Sequence, residues 1–481
     1  MESTLTAQRY YVNGEWKEST TGNVVEIMSP YKDGVVGTVQ ALSQEEAAAA
    51  IQSAKQAQKA WAKVSLQEKA DLLYKWADEL LAMQDELAQT MMLEVGKSLK
   101  DAKSEVQRTY DYIRYTAQEA LHSNGESMRG DRFPGGSSSK VAIVDRVPLG
   151  VVLAISPFNY PVNLAASKLA PALVSGNTVI FKPATQGALS GIKMVEALDR
   201  AGFPAGVVNI VTGRGSVIGD FLVEHKDISM VSFTGGTQTG ENLAKIAGMK
   251  PVVLELGGKD PGIVREDADL DKAVKNIISG AYSYSGQRCT AIKRVLVHDN
   301  VANELVAKLQ AEVEKLAVGS PEDGNTVVPL IDSKSADLVQ GLIDDALEKG
   351  ATLVAGNKRE GNLIHPTLLD HVTEDMDVAW VEPFGPVLPV IRVGSDEEAI
   401  EIANKSEYGL QASIFTRDVD KAFYIANELE TGAVQVNGRT ERGPDHFPFL
   451  GVKGSGMGTQ GIANSILSMT REKLTVLNLD K

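Results

Sequence analysis

The chain has 481 residues, 43% of them hydrophobic and 23% charged, with a formal net charge of −15. That length exceeds one compact core and points to two or three domains. The composition leaves no case for disorder, and the negative balance argues against a nucleic-acid partner. No apolar run approaches the roughly 18 residues of a bilayer span, and the polar start, residues 1–7, carries no address, so a cytoplasmic protein with no membrane partner is expected.

The first 120 residues open with a hairpin signal, Tyr11-Val12-Asn13-Gly14-Glu15-Trp16, in which Asn-Gly supplies the positive φ of a type I′ turn. Ser43 with Glu46 and Ser65 with Glu68 form capping boxes ahead of Ala- and Leu-rich runs of helical period. This region reads as scaffold rather than chemistry. From Val151 the pattern changes to short apolar strands separated by helix-forming segments: 151–155, 178–181, 207–211, 230–233 and 252–256. Such alternation predicts a parallel, doubly wound sheet, with ligand contacts just past the carboxyl end of each strand. A second α/β stretch runs from about Gly262 to Val436, with strand-like 294–297, 387–391 and 433–436. The tail turns Gly-rich from Gly451 and ends in an apolar run, Leu474 to Leu479, which pairs with Ser137 to Val144 as candidate oligomer-forming strands.

Several motifs fail on inspection. Gly96-Lys97-Ser98 resembles the end of a phosphate-binding loop, but Met91 stands where the motif needs its first glycine. Gly213-Arg214-Gly215 follows a strand, yet Ile218 takes the place of the third glycine of a dinucleotide fingerprint and Gly219 comes one residue late. There is no G-x-S-x-G elbow, and the six histidines show no metal-ligand spacing, so no metal is expected.

Cys289 is the single cysteine, which excludes an intramolecular disulfide and fits a reducing compartment. Its neighbourhood reads Tyr284-Ser285-Gly286-Gln287-Arg288-Cys289-Thr290. A free thiol near pKa 8.5 is only a few per cent thiolate at neutral pH, so a nucleophilic cysteine gains from nearby cations and amide donors. Arg288 and Gly286 are the candidates to supply them.

Six stretches, in order, resemble the aldehyde dehydrogenase superfamily: Ser156-Pro157-Phe158-Asn159-Tyr160-Pro161, Lys182-Pro183, Phe233-Thr234-Gly235, Glu255-Leu256-Gly257-Gly258-Lys259, Gly286 to Cys289, and Glu382-Pro383-Phe384-Gly385-Pro386. They span nearly the whole chain. The resemblance implies an α/β fold with a Rossmann-type cofactor domain (1–123 and 143–254), an α/β catalytic domain (255–449), and a small β oligomerisation arm with the C-terminal tail (124–142 and 450–481). A homodimer or homotetramer is implied with it. So is the chemistry: Cys289 attacks an aldehyde, the Asn159 amide and the Cys289 backbone N–H receive the oxyanion, and Glu255 activates the water that hydrolyses the thioacyl enzyme.

For the cofactor the resemblance implies contacts from Ser156, Pro157, Lys182, Thr185, Gly215, Thr234, Gly235, Thr237, Leu256, Glu382 and Phe384. Lys182 approaches the adenine ribose, and many NAD-preferring members place a glutamate three residues later, where this chain has Thr185. A glutamate there repels a 2′-phosphate by roughly 4 kcal/mol at about 4 Å and an effective dielectric of about 20. Threonine removes that penalty, so NADP is expected. Gly236 stands where the family usually has serine, so one side-chain contact to the pyrophosphate is missing and backbone amides around Thr237 must serve.

Arg108, Tyr160, Arg288, Thr290 and Arg442 together resemble the phosphate site of non-phosphorylating glyceraldehyde-3-phosphate dehydrogenases, and the match extends through residues 282–291 and 405–413. Guanidinium forks suit a phosphate dianion. The implied reaction is irreversible oxidation of the phosphorylated triose glyceraldehyde 3-phosphate to 3-phosphoglycerate with formation of NADPH. A succinate-semialdehyde-type enzyme, whose arginines hold a carboxylate, is the rival within the class. A non-catalytic binding protein on the same fold is the rival outside it. CoA acylation is disfavoured, because a hydrolytic Glu255 destroys the thioester first.

Overall fold

The computed structural model describes residues 7–122 and 125–479. The polar start at residues 1–6 and the expected domain boundary at 123/124 lie outside them.

The Asn-Gly hairpin forms, with Tyr10–Val12 paired to Glu15–Lys17 and φ of 57° at Asn13 and 79° at Gly14. Four helices follow, Gln44–Trp61, Leu66–Ala82, Gln84–Val95 and Leu99–Leu121. Both capping boxes are complete: Ser43 and Ser65 each accept from the backbone N–H three residues on, and Glu46 and Glu68 accept from the backbone of the cap residues. The helices bury Trp61, Leu73, Trp76, Leu80 and Leu87 against the first sheet and share its core.

That sheet has six strands in the order Val208–Ile210, Thr178–Lys182, Val151–Ile155, Met230–Thr234, Val252–Glu255 and Gly456–Met457. The first five are parallel, as the alternation of β-runs and helices predicts, and the sixth is an antiparallel edge donated by the tail. Gly456 lies against Leu254 so closely that a Cβ would sit 2.2 Å from its carbonyl oxygen, and its φ is +156°. Only glycine allows that strand to complete the sheet beside Glu255.

The second sheet has seven strands, Thr352–Ala355, Thr367–Asp370, Val387–Val393, Arg294–His298, Pro261–Val264, Gln411–Phe415 and Ala433–Val436, parallel except for the first. Separate apolar clusters fill its two faces. The expected pairing of the tail is present: Thr470–Asn478 runs antiparallel to Lys140–Pro148 with Leu474 opposite Val144, and Glu126–Arg129 adds a third strand. Leu474 is 58% and Val476 45% exposed, so this arm presents apolar side chains outward. Among the described residues, no helix is long and apolar enough to cross a membrane and no His, Cys, Asp and Glu cluster could hold a metal ion.

Candidate active site

The carboxyl ends of the first sheet open into a cleft of about 920 Å³. Of the residues that the resemblance assigns to a cofactor, Ser156, Pro157, Lys182, Thr185, Gly215, Thr234, Gly235, Leu256, Glu382 and Phe384 all line it. Thr237 does not. It opens the helix Thr237–Ile246, but its hydroxyl donates to the Gly454 carbonyl and accepts from the Gly257 N–H, while Gln238 and Thr239 of the same turn face the cleft. The late Gly219, discounted as a fingerprint glycine, is also part of the wall, with Ser216 and Asp220.

The fit to a dinucleotide rests on donors with little else to bind. The buried Ser156 hydroxyl has no partner among the described residues. Lys182 is 5% exposed, its ammonium reaches the neighbouring Pro183 carbonyl at 3.3 Å, and burial pushes its pKa down to about 8. Phe158 and Phe384 meet edge to face, centroids 5.9 Å apart, at the inner end. Glu382 is held there by Lys293 at 2.8 Å and by the Gly258 N–H at 3.1 Å. Glu94, wholly buried, accepts the N–H groups of Gly187, Leu189 and Ser190 and so fixes the turn after Thr185.

Cys289 lines this cleft and also a second, polar cavity of about 100 Å³ behind it. The chain reaches the cysteine through Tyr284 and Ser285, both left-handed with φ of 51° and 56°, and Gly286 at 70°. Such backbone costs about 1–3 kcal/mol per non-glycine residue and persists where surroundings enforce it. Here Tyr284 donates to the Val95 carbonyl, and the Ser285 hydroxyl both donates to and accepts from Val328, each at 2.7 Å. A Cβ on Gly286 would lie 2.6 Å from the Gly385 carbonyl oxygen. The thiol therefore sits on a turn braced by segments far apart in the chain, at Val95, Val328 and Gly385.

Asn159 is 3% exposed and donates from Nδ2 to the Gln287 carbonyl at 2.9 Å, two residues before the cysteine. Glu255 ends its strand 2% exposed, with Oε1 3.5 Å from Cys289 Sγ. Its Oε2 accepts from Arg442 at 2.7 Å and from Thr234 at 3.3 Å. Burial and the Glu255 carboxylate push the Cys289 thiol well up, while Lys293 pulls the other way.

Arg288, expected to assist the thiol, is directed elsewhere. Its guanidinium donates to the carbonyls of Ser279 and Gly280, and its Nε has no partner among the described residues. It nevertheless lines the polar cavity with Arg108, Tyr160, Thr290 and Arg442, so all five predicted substrate residues converge. Arg108 makes a bidentate pair with Asp445, at 2.7 and 2.8 Å, and donates to the Arg442 carbonyl. Arg439, paired with Glu441, completes the wall and was not predicted.

Two further lysines escaped the sequence reading. Lys168 is the one charge in the wholly buried helix Asn163–Val174; it donates to Thr234 Oγ1 at 2.6 Å, and burial pushes its pKa down to about 8. A lone lysine in an apolar helix was the available signal. Lys97, from the discounted phosphate-loop motif, pairs with Glu105 with both side chains 1% exposed. Its ammonium lies 3.7 Å from the Tyr160 ring centroid. Glu105 accepts the N–H groups of Val162 and Asn163, so the helical region that reads as scaffold buttresses the Asn159 turn.

Comparison with known proteins supplies the family. The aldehyde dehydrogenase family model matches residues 16–475. The NADP-dependent glyceraldehyde-3-phosphate dehydrogenase of Streptococcus equinus is 55% identical over 471 residues, covering 98% of each chain. The protein of the same name from Pisum sativum is 51% identical over 473 residues, 98% of this chain and 95% of its own. Among solved structures, the Bacillus halodurans C-125 enzyme of that name, complexed with NADP, superposes with a TM-score of 0.98 at 62% identity, over 98% of this chain and 100% of the other. The chain belongs to the aldehyde dehydrogenase family.

Proposed function

We propose that this protein oxidises glyceraldehyde 3-phosphate to 3-phosphoglycerate, irreversibly and without inorganic phosphate, using NADP. The observation that carries the reading is the position of Cys289, in the wall of both a dinucleotide-sized cleft and a small cavity lined by four arginines. The names of the relatives support the same substrate and cofactor.

In this mechanism Cys289 Sγ bonds to the aldehyde carbon. Asn159 Nδ2, with the Cys289 N–H, holds the oxygen as it becomes negative, a contribution of about 3 kcal/mol per donor in comparable sites. Bound NADP supplies the hydride acceptor; Lys182 and Thr185 would hold its 2′-phosphate end, and Glu382 and Phe384 its nicotinamide end. Glu255 takes a proton from the water that attacks the thioacyl carbon, the C–S bond breaks, and the thiolate returns. Arg108, Tyr160, Arg288, Thr290 and Arg442 orient the phosphate end so that the carbonyl faces the sulfur. The chain divides accordingly into a cofactor domain (1–123 and 143–254), a catalytic domain (255–449), and an arm with the tail (124–142 and 450–481). The apolar arm mediates homo-oligomer formation in the cytoplasm.

The test is a panel of kcat/KM values on purified protein for glyceraldehyde 3-phosphate, free glyceraldehyde and succinate semialdehyde, each with NADP and NAD. The reading requires the first substrate and NADP to lead; a preference for succinate semialdehyde or for NAD overturns the corresponding half.

A further inference from the structure

The pair between Arg442 and Glu255 joins two residues that the reaction uses for different purposes. Arg442 Nη1 lies 2.7 Å from Glu255 Oε2, with the side chains 8% and 2% exposed. The arginine is fixed from behind by Gln460, which accepts from Nη2 at 2.9 Å, and by the Phe449 ring 5.0 Å from its guanidinium carbon. It faces the same cavity as Arg108, Tyr160 and Arg288. The carboxylate's other oxygen faces the thiol at 3.5 Å. Besides the more distant Asp445, 3.8 Å from its Nε and engaged by Arg108, the guanidinium thus has two anionic claimants, the hydrolytic base and the charged end of the substrate.

Taking a proton from water while still paired would neutralise Glu255 and leave the nearly buried guanidinium only Asp445, 3.8 Å from its Nε and already held by Arg108, as counter-charge, which is the expensive way to break a buried ion pair. A phosphate dianion in the cavity changes that balance. It becomes the counter-charge of Arg442, which need not move, and the carboxylate is free to accept the proton.

We propose that Arg442 locks Glu255 until the substrate's own phosphate takes its place, so that a phosphorylated acyl group licenses its own hydrolysis. This lock presupposes the hydrolytic chemistry and phosphorylated substrate proposed above. The controlled step is deacylation: the water oxygen bonds to the acyl carbon, its proton passes to Glu255, and the C–S bond breaks with its electron pair going to Cys289 Sγ. No oxidant or reductant enters that step. An aldehyde of the same length without phosphate acylates the cysteine and releases one equivalent of NADPH, but is then hydrolysed slowly.

The experiment supplies the dianion separately. With wild-type enzyme, NADP and unphosphorylated D-glyceraldehyde, stopped-flow absorbance is expected to show a burst of NADPH followed by a slow steady rate. Inorganic phosphite should raise the steady rate at least about tenfold and leave the burst rate constant unchanged. In Arg442→Gln the lock is absent, so the steady rate on glyceraldehyde should approach the burst rate and phosphite should have no effect. A wild-type reaction without a burst, or a steady rate indifferent to phosphite, overturns the lock even if Arg442→Gln proves unstable. Equal activation of the variant by phosphite overturns it as well. If glyceraldehyde 3-phosphate itself is not turned over, the substrate reading fails; if it is turned over rapidly and phosphite is inert, only the lock fails.

Discussion

The cofactor cleft and the polar cavity meet at Cys289 but are built on opposite plans. The cleft is made largely from the strand ends of one parallel sheet, closed by Glu382 and Phe384, and some of its polar groups have few partners among the described residues, with Lys182 and the Ser156 hydroxyl the clearest cases. The cavity gathers side chains from positions 108, 160, 255, 288 and 442, and three of its four arginines are already paired with carboxylates, Arg442 with Glu255, Arg108 with Asp445 and Arg439 with Glu441, while Arg288 donates to backbone carbonyls. A site assembled by topology can wait for its ligand with bare donors along a mostly apolar wall. A site that concentrates cations in a small volume must neutralise them internally when it folds. Ligand binding in the cleft therefore adds contacts, whereas in the cavity it exchanges one counter-charge for another.

The sharpest way to break this contrast is at the carboxylate between the two. Glu255→Gln keeps the shape and a weaker hydrogen bond to Arg442 but cannot take a proton. We expect kcat to fall by about 10³–10⁴-fold, the upper part of the range for general-base loss, with a full burst of NADPH retained. Steady turnover of the variant near the wild-type rate would falsify the assignment. Asn159→Ala tests the donor that lines the cleft beside Cys289. It should lower the burst rate constant by about 10²–10³-fold on phosphorylated and free glyceraldehyde alike, because the oxyanion forms whatever the far end of the substrate carries. A loss confined to the phosphorylated aldehyde would move Asn159 from the reacting oxygen to the phosphate end.

Thr185→Glu acts on the cleft alone. A carboxylate about 4 Å from a 2′-phosphate is repelled by roughly 4 kcal/mol at an effective dielectric of about 20, and partial exposure of the position reduces this. The expected outcome is a loss of about 10²-fold in kcat/KM for NADP with little change for NAD. An equal loss with both nucleotides would place Thr185 away from the 2′-phosphate.

The two regions also differ in how far the sequence discloses them. The parallel sheet is legible because its strands are short apolar runs at regular spacing, and strand ends in such a sheet are where ligands sit. Nothing periodic links positions 108, 160, 288 and 442; they meet in one cavity through tertiary packing, with the helix Leu99–Leu121 against the helix Asn163–Val174 and the 437–450 loop tied to the first of these through Arg108. Resemblance to a family found them where pattern did not. Pairing is harder still to read, since a sequence shows that an arginine exists but not which carboxylate claims it. Arg288 illustrates the gap, being adjacent to the nucleophile in the chain yet turned to the carbonyls of Ser279 and Gly280. Lys97 and Glu105 illustrate it again, because a buried pair eight residues apart looks like two ordinary surface charges until the helix packs.

The last prediction uses the cleft's bare cation. Burial holds the Lys182 pKa at about 8, so in the free protein the ammonium loses its proton as pH rises through that value. The 2′-phosphate of NADP, already a dianion above about pH 7, interacts best with the charged form. Binding at high pH must therefore take up a proton, and the dissociation constant should rise by up to about tenfold per pH unit above about pH 8 until the raised pKa of the complex is reached. NAD carries no 2′-phosphate, so its dissociation constant should stay nearly flat over the same range. Nucleotide fluorescence titrations between about pH 7 and about pH 9 would measure both curves, with about a tenfold loss expected for NADP alone. Lys182→Arg, which keeps its charge throughout, should flatten the NADP curve even if it weakens binding overall. Parallel curves for the two nucleotides would mean that the lysine does not meet the phosphate, and the contrast between a cleft that adds contacts and a cavity that exchanges them would lose its first term.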